Sequence, residues 1–163
     1  MIVVTVGTNE APFDRLLQAF DVERPTEELL VQHGPSHVRP TGASCVDFLS
    51  YDELVDAIRR ARVVVMHAGV GSIMTALANR KRPVVVPRLR RFGEAVDDHQ
   101  LALGRRLQEA GLVTLVEDTG DVLKAVETVS RAACVDLGPN PRLVAELKEY
   151  LSAHRRLRRD GGR

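Results

Sequence analysis

Short β-branched runs alternate along this chain with segments whose apolar residues recur at helical spacing, and few folds accommodate that pattern. Ile2 to Val6, Val63 to His67 and Val84 to Val86, the last fenced by Pro83 and Pro87, are almost continuously apolar. Strands of this kind are buried on both faces, which requires a parallel sheet covered by helices on either side. Leu16, Leu17 and Phe20 mark a helix after Pro12-Phe13, and Leu54, Val55 and Ile58 mark another over Tyr51 to Arg60. Further strands are expected at Glu28 to Gln32, Cys45 to Phe48 and Val113 to Val116. Further helices are expected at Ser72 to Asn79, Asp98 to Ala110 and Thr119 to about Ala133, with an amphipathic helix after Pro141. The expected architecture is one doubly wound, Rossmann-like α/β domain over residues 1–153, followed by a basic tail, 154–163. Between Arg88 and Asp97 the period is lost and charge accumulates, which predicts the longest irregular loop at a strand end.

Composition narrows the function classes. The 163 residues hold 23 Lys and Arg against 22 Asp and Glu, which gives no reason to expect a nucleic-acid ligand. Cys45 and Cys134 fit neither a disulfide framework nor a metal motif. Met1 to Gly7 does not read as a secretory leader, and no apolar run is long enough to span a bilayer, so a cytoplasmic protein is expected. Five arginines crowd residues 154–163 beyond a stripe of Leu143, Val144, Leu147, Tyr150 and Leu151. That stripe is core or a docking face; the arginines are solvated or meet anionic lipid headgroups.

In doubly wound sheets ligands bind beyond the carboxyl ends of the strands, so the turns after Val6, His67 and Val86 are expected to share one crevice. The middle turn is His67-Ala68-Gly69-Val70-Gly71-Ser72. It is not a dinucleotide fingerprint, because Met74 stands where a third small residue is needed and Pro87-Arg88 where the acidic residue should close the next strand. No Walker-type run and no nucleophile elbow occurs, and the histidines lack metal-ligand spacing. A glycine turn that opens a helix offers free N–H groups and a positive dipole end to a phosphate; it also serves as plain punctuation. Ser72 would cap that helix. His67 is a strand-end histidine or a catalytic one. Arg88 is a solvated charge or a rim cation, and Glu94 to Gln100 contains a helix cap in Asp97 or Asp98.

Three stretches together carry a resemblance: Val4 to Asp21, His67 to Leu77 and Arg82 to Gln100. They resemble the glycosyltransferase family 28 C-terminal domain, in particular its small stand-alone donor-binding subunits of the Alg13-like and PssE-like type. The resemblance implies the carboxyl-terminal half of a GT-B glycosyltransferase that binds a UDP-sugar. An Alg14-like or PssD-like membrane-anchored subunit would supply the acceptor lobe. His67, Ala68, Gly69, Gly71 and Ser72 would hold the diphosphate, and Gly7 and Thr8 would line the cleft. Glu94, Asp98, His99 and Gln100 would reach the sugar and phosphates, with Arg88 aiding the leaving charge. Thr75 stands where relatives commonly place an acidic residue on the ribose, and Ala95 where some have histidine. The implied reaction is inverting transfer of a hexose or N-acetylhexosamine to a lipid-linked or polysaccharide acceptor, without metal or other cofactor. His67 is the sole in-chain candidate for the general base, which usually comes from the other lobe. A self-sufficient homodimeric transferase and a non-catalytic nucleotide-sugar-binding module are the alternatives. The protein would work in the cytoplasm, peripherally at the inner face of the plasma membrane.

Overall fold

A computed structural model describes residues 1–129. The helix expected after Pro141, Cys134 and the arginine tail lie outside the described residues. Six parallel strands form one sheet: β1 (Ile2–Thr5), β2 (Leu29–Gln32), β3 (Ser44–Val46), β4 (Val63–His67), β5 (Val84–Val86) and β6 (Thr114–Leu115), in the order β3-β2-β1-β4-β5-β6. The helices are α1 (Asp14–Val22), α2 (Tyr51–Arg60), α3 (Val70–Ala78), α4 (His99–Glu109) and α5 (Val122–Val129). Short 3-10 turns occupy Arg90–Phe92 and Thr119–Asp121.

The period of two along each strand sorts the core into two layers. Ile2, Val4, Val63, Val65, Val84 and Val86 face Leu16, Leu17 and Phe20 of α1 and Val122 and Val126 of α5. The intervening Val3, Val64, Met66 and Val85 face Ile58 of α2, Ile73 and Leu77 of α3 and Leu103 and Leu107 of α4. Nearly all of these side chains are without solvent contact. At about 1.5–3 kcal/mol for each fully buried aliphatic side chain, the two layers are what overcomes the entropy of ordering the chain.

Most expected elements stand within a residue or two of their places, and two differ informatively. β6 is only Thr114–Leu115 because it is the sheet edge and pairs on one side alone. The helix expected from Ser72 begins at Val70, with Gly69 as its N-cap, so Ser72 sits inside the first turn and does not cap it. Two glycines suggested loop, yet Gly71 adopts helical geometry without difficulty. By contrast, α2 is capped in full: the Ser50 hydroxyl accepts from the Glu53 N–H while the Glu53 carboxylate accepts from the Ser50 N–H.

Candidate functional site

β1 and β4 lie side by side at the centre of the sheet, and the chain leaves them in opposite directions, toward β2 and β3 on one side and β5 and β6 on the other. This is the switch point at which a doubly wound sheet opens a crevice beyond its strand ends. The turns that follow β1 and β4 form the crevice walls.

The imidazole of His67 is packed between two glycines. A Cβ at Gly7, where φ is +78°, would lie 2.3 Å from the ring, and one at Gly69 would lie 2.2 Å from it. Gly7 and Gly69 are therefore glycines because the histidine occupies the space of their side chains. Both positions thus have a packing reason to be glycine, independent of any ligand. Burial in this slot, with the Arg88 charge adding to it, pushes the His67 pKa down to about 4. The ring is neutral at pH 7, and its Nδ1 is buried without a partner among the described residues. A base so weak is poorly matched to proton abstraction near neutral pH.

Gly71 differs from the other two. A Cβ there would meet nothing within 4 Å among the described residues, so the residue borders open space with respect to them. No side chain caps α3, and Ile73 is the first residue of the helix whose N–H reaches a carbonyl, that of Gly69 at 3.0 Å. The N–H groups of Val70, Gly71 and Ser72 precede it with no recorded acceptor among the described residues. Together they form a concentrated donor set at the positive end of the helix. The Thr75 hydroxyl donates to the Gly71 carbonyl at 2.9 Å, which leaves it only acceptor capacity toward a ligand.

Beside this helix start lies a cavity of about 110 Å³, to which Gly7, Thr8, His67 and Ser72 all contribute. The structure adds Thr5 and Gln32 as polar lining and Phe48, Leu49 and Leu54 as an apolar wall. Thr5 and Gln32 carried a sequence signal, since each ends an apolar strand with a polar residue. Phe48 and Leu49 carried none. A wider cleft of about 810 Å³ opens at the opposite, amino ends of the strands; of the charged residues that line it, Glu27 and Arg62 are paired with each other.

The loop after β5 does not behave as expected. Arg88 has no solvent-accessible surface. Its guanidinium donates to the carbonyls of Ala11 (2.8 Å), Pro12 (3.1 Å) and Val6 (3.1 Å) and lies over the Phe13 ring at 4.6 Å. Burial pushes its pKa down to about 10, a shift Glu94 partly opposes, so it remains cationic. Glu94, 5% exposed, receives Arg15 through both carboxylate oxygens (3.0 and 2.9 Å) and also accepts from the Leu89 N–H at 3.1 Å. Gln100, 7% exposed, accepts from the Arg88 N–H through Oε1 at 3.1 Å. Asp98 is the N-cap residue of α4 but accepts instead from the Arg90 N–H at 2.8 Å, while Asp97 pairs with His99. Arg88 and Glu94 are thus buried and engaged with protein partners, where the sequence alone suggested groups facing a ligand. A buried charge persists only where partners surround it: Arg88 donates through both terminal nitrogens, while its buried Nε has no partner among the described residues, and Glu94 is paired with Arg15. Of the residues in this loop and helix start, Asp97 and Asp98 are exposed and His99 is partly so.

The architecture and the open helix start meet a match along most of the chain: residues 1–141 fit the glycosyltransferase family 28 C-terminal domain. The chain belongs to this family. It is also 28% identical over 137 residues, 75% of this chain and 67% of the relative, to the UDP-N-acetylglucosamine transferase subunit ALG13 of Yarrowia lipolytica. Among solved structures, the calicheamicin glycosyltransferase CalG4 superposes with a TM-score of 0.59 at 18% identity, over 93% of this chain and 42% of that one. The glycosyltransferase SnogD from Streptomyces nogalater does so at 0.59 and 16%, over 82% and 36%. The fold is that of the carboxyl-terminal half of a GT-B glycosyltransferase, and the chain spans about two-fifths of the solved structures it matches. Among the described residues no helix is long and apolar enough to cross a membrane, and no cluster of three or more His, Cys, Asp or Glu forms a metal site.

Proposed function

We propose that this chain is the donor-binding subunit of a two-component inverting glycosyltransferase. It would bind a UDP-sugar and deliver a hexose or N-acetylhexosamine to a lipid-linked or polysaccharide acceptor held by a separate, membrane-anchored, Alg14-like or PssD-like subunit. The observation that carries this reading is the uncapped start of α3 at the switch point, with Gly71 facing open space. Family membership gives it a chemistry, and the relative described as a transferase subunit supports division of the enzyme between chains.

In the proposed reaction an acceptor hydroxyl attacks the anomeric carbon, the bond from that carbon to the diphosphate oxygen breaks, and UDP departs with the electron pair. Charge grows on the diphosphate as this happens. The N–H groups of Val70, Gly71 and Ser72 are fixed in place before the reaction, so they stabilise that charge without reorganising, a contribution of several kcal/mol and one that needs no metal. The apolar wall of Phe48, Leu49 and Leu54 beside them suits a planar base, and Thr75 would accept a ribose hydroxyl. The acceptor proton goes to a base of the partner subunit, since His67 is too weak for the task. The complex would work in the cytoplasm at the inner face of the plasma membrane.

Calorimetric titration with UDP, GDP and their sugars tests the reading. UDP and a UDP-sugar should bind, and Gly71→Asp should abolish binding by filling the open space and adding like charge. Normal UDP affinity in that variant would refute the site. Transfer by the isolated chain would favour the homodimeric alternative, and binding without transfer even beside the partner would favour the non-catalytic module.

A further inference from the structure

Gln32 ends β2 with a polar side chain that is only 4% exposed. It stands two residues after Leu30, on the strand face that packs toward α2 and α3. Its amide is fully engaged. Oε1 accepts from the Thr5 hydroxyl at 2.6 Å and from the Gly7 N–H at 3.1 Å; Nε2 donates to the Gly7 carbonyl at 3.2 Å and the Asp47 carbonyl at 3.0 Å. One side chain therefore grips both the N–H and the C=O of Gly7, the residue whose left-handed backbone lies against the His67 ring. The same ring lies against Gly69, the N-cap of α3. On the other side, the Asp47 carbonyl is also held by the Gly34 N–H at 3.1 Å, immediately before Phe48 and Leu49 of the apolar wall.

We propose that Gln32 is a positioning residue of the nucleotide-diphosphate site: by clamping Gly7 and Asp47 it fixes the spacing between the β1 turn, the His67 ring, the start of α3 and the apolar wall. This inference rests on the reading of α3 as the diphosphate cradle. Gln32 acts through Gly7 and makes no contact with the leaving group. A buried glutamine that merely satisfied its own hydrogen bonds would affect stability alone, and the two roles separate in binding.

The test is calorimetric titration of wild type, Gln32→Met and Gln32→Glu with UDP from about pH 8 to about pH 5.5, with a denaturation midpoint for each. Affinities are read as ratios to wild type at the same pH, which removes the ionisation of UDP itself, and His67 stays neutral over most of that range. Gln32→Met keeps the bulk but not the clamp, so it should bind UDP about tenfold more weakly at every pH. In Gln32→Glu an ionised carboxylate would face the Gly7 and Asp47 carbonyls at pH 8, again weakening binding about tenfold. As pH falls, the protonated carboxyl regains one of the amide's two donations and loses its charge, and the gap to wild type should narrow. If Gln32→Met does not fold, the pH profile of Gln32→Glu decides alone. UDP affinity within about twofold of wild type throughout, in whichever variants fold and whatever their midpoints, would overturn the proposal. Absence of UDP binding by wild type would instead bring down the reading on which it rests.

Discussion

Two neighbouring walls at the carboxyl ends of the strands, one after β4 and one after β5, are built on opposite plans. On the β4 side, α3 starts with unpartnered backbone donors and a glycine facing open space. On the β5 side, Arg88, Arg15 and Glu94 carry strong charges that are consumed by carbonyls, by each other and by the rings of Phe13 and Phe92, over which Arg15 lies at 5.4 and 4.6 Å. The lesson is that formal charge in the sequence is a poor guide to which groups remain available to a ligand: here the charges are spent on the fold and the backbone donors are not. If the open wall is the proposed diphosphate cradle, substitutions there should act on binding and those on the closed wall on stability.

The largest effect is expected on the closed wall. Arg15→Met leaves Glu94 buried without its cation and should destabilise the fold by about 3–5 kcal/mol in chemical denaturation. Gly71→Asp on the open wall should change stability by less than about 1 kcal/mol while removing UDP affinity, since nothing packs against it. A large stability loss in Gly71→Asp, or none in Arg15→Met, would break the contrast.

His67 provides the next test. Its pKa in the folded state lies near 4, below the value of about 6.5 expected in the unfolded chain, so protons bind the unfolded state first. The associated stability is present above pH 6.5 and is lost as pH falls toward 4, about 3 kcal/mol in all. Denaturation midpoints across that window should show the loss in wild type, and His67→Gln should lack that part of it.

Within the glycine wall, Gly7→Ala should cost about 1–3 kcal/mol because it must both sustain φ of +78° and displace the His67 ring. Gly71→Ala, in an open helical position, should be neutral or stabilising by up to about 1 kcal/mol. Equal losses at both positions would show that the two glycines serve one purpose. The smallest contrast is between helix starts. Ser50→Ala removes a capping box and should cost about 1 kcal/mol, whereas Ser72→Ala should leave stability within about 0.5 kcal/mol, both read from thermal midpoints.

The fold was legible because buried parallel strands write themselves as β-branched runs, and Val63 to His67 and Tyr51 to Arg60 stand where periodicity places them. The start of α3 was misplaced by two residues because glycines at 69 and 71 look alike in sequence, though one makes room for an imidazole and the other faces space. The glycine turn was legible as a turn between β4 and a helix, and its order alone left a phosphate cradle and plain punctuation both open. The β5 loop was not legible, because the groups that engage the Arg88 guanidinium, and the Arg15 cation that pairs with Glu94, lie more than 70 residues away in sequence, and nothing local marks a charge as inward-facing. Gln32 could have been found, as a lone polar residue at core parity on an apolar strand.

The central claim is that the first amides of α3 grip the diphosphate. Titrating ¹⁵N-labelled protein with UDP and, separately, with uridine tests it most directly. The largest amide shifts should appear at Val70, Gly71 and Ser72 with UDP and be absent there with uridine. Shifts centred instead on Arg90 to His99, or identical responses at α3 to both ligands, would contradict it.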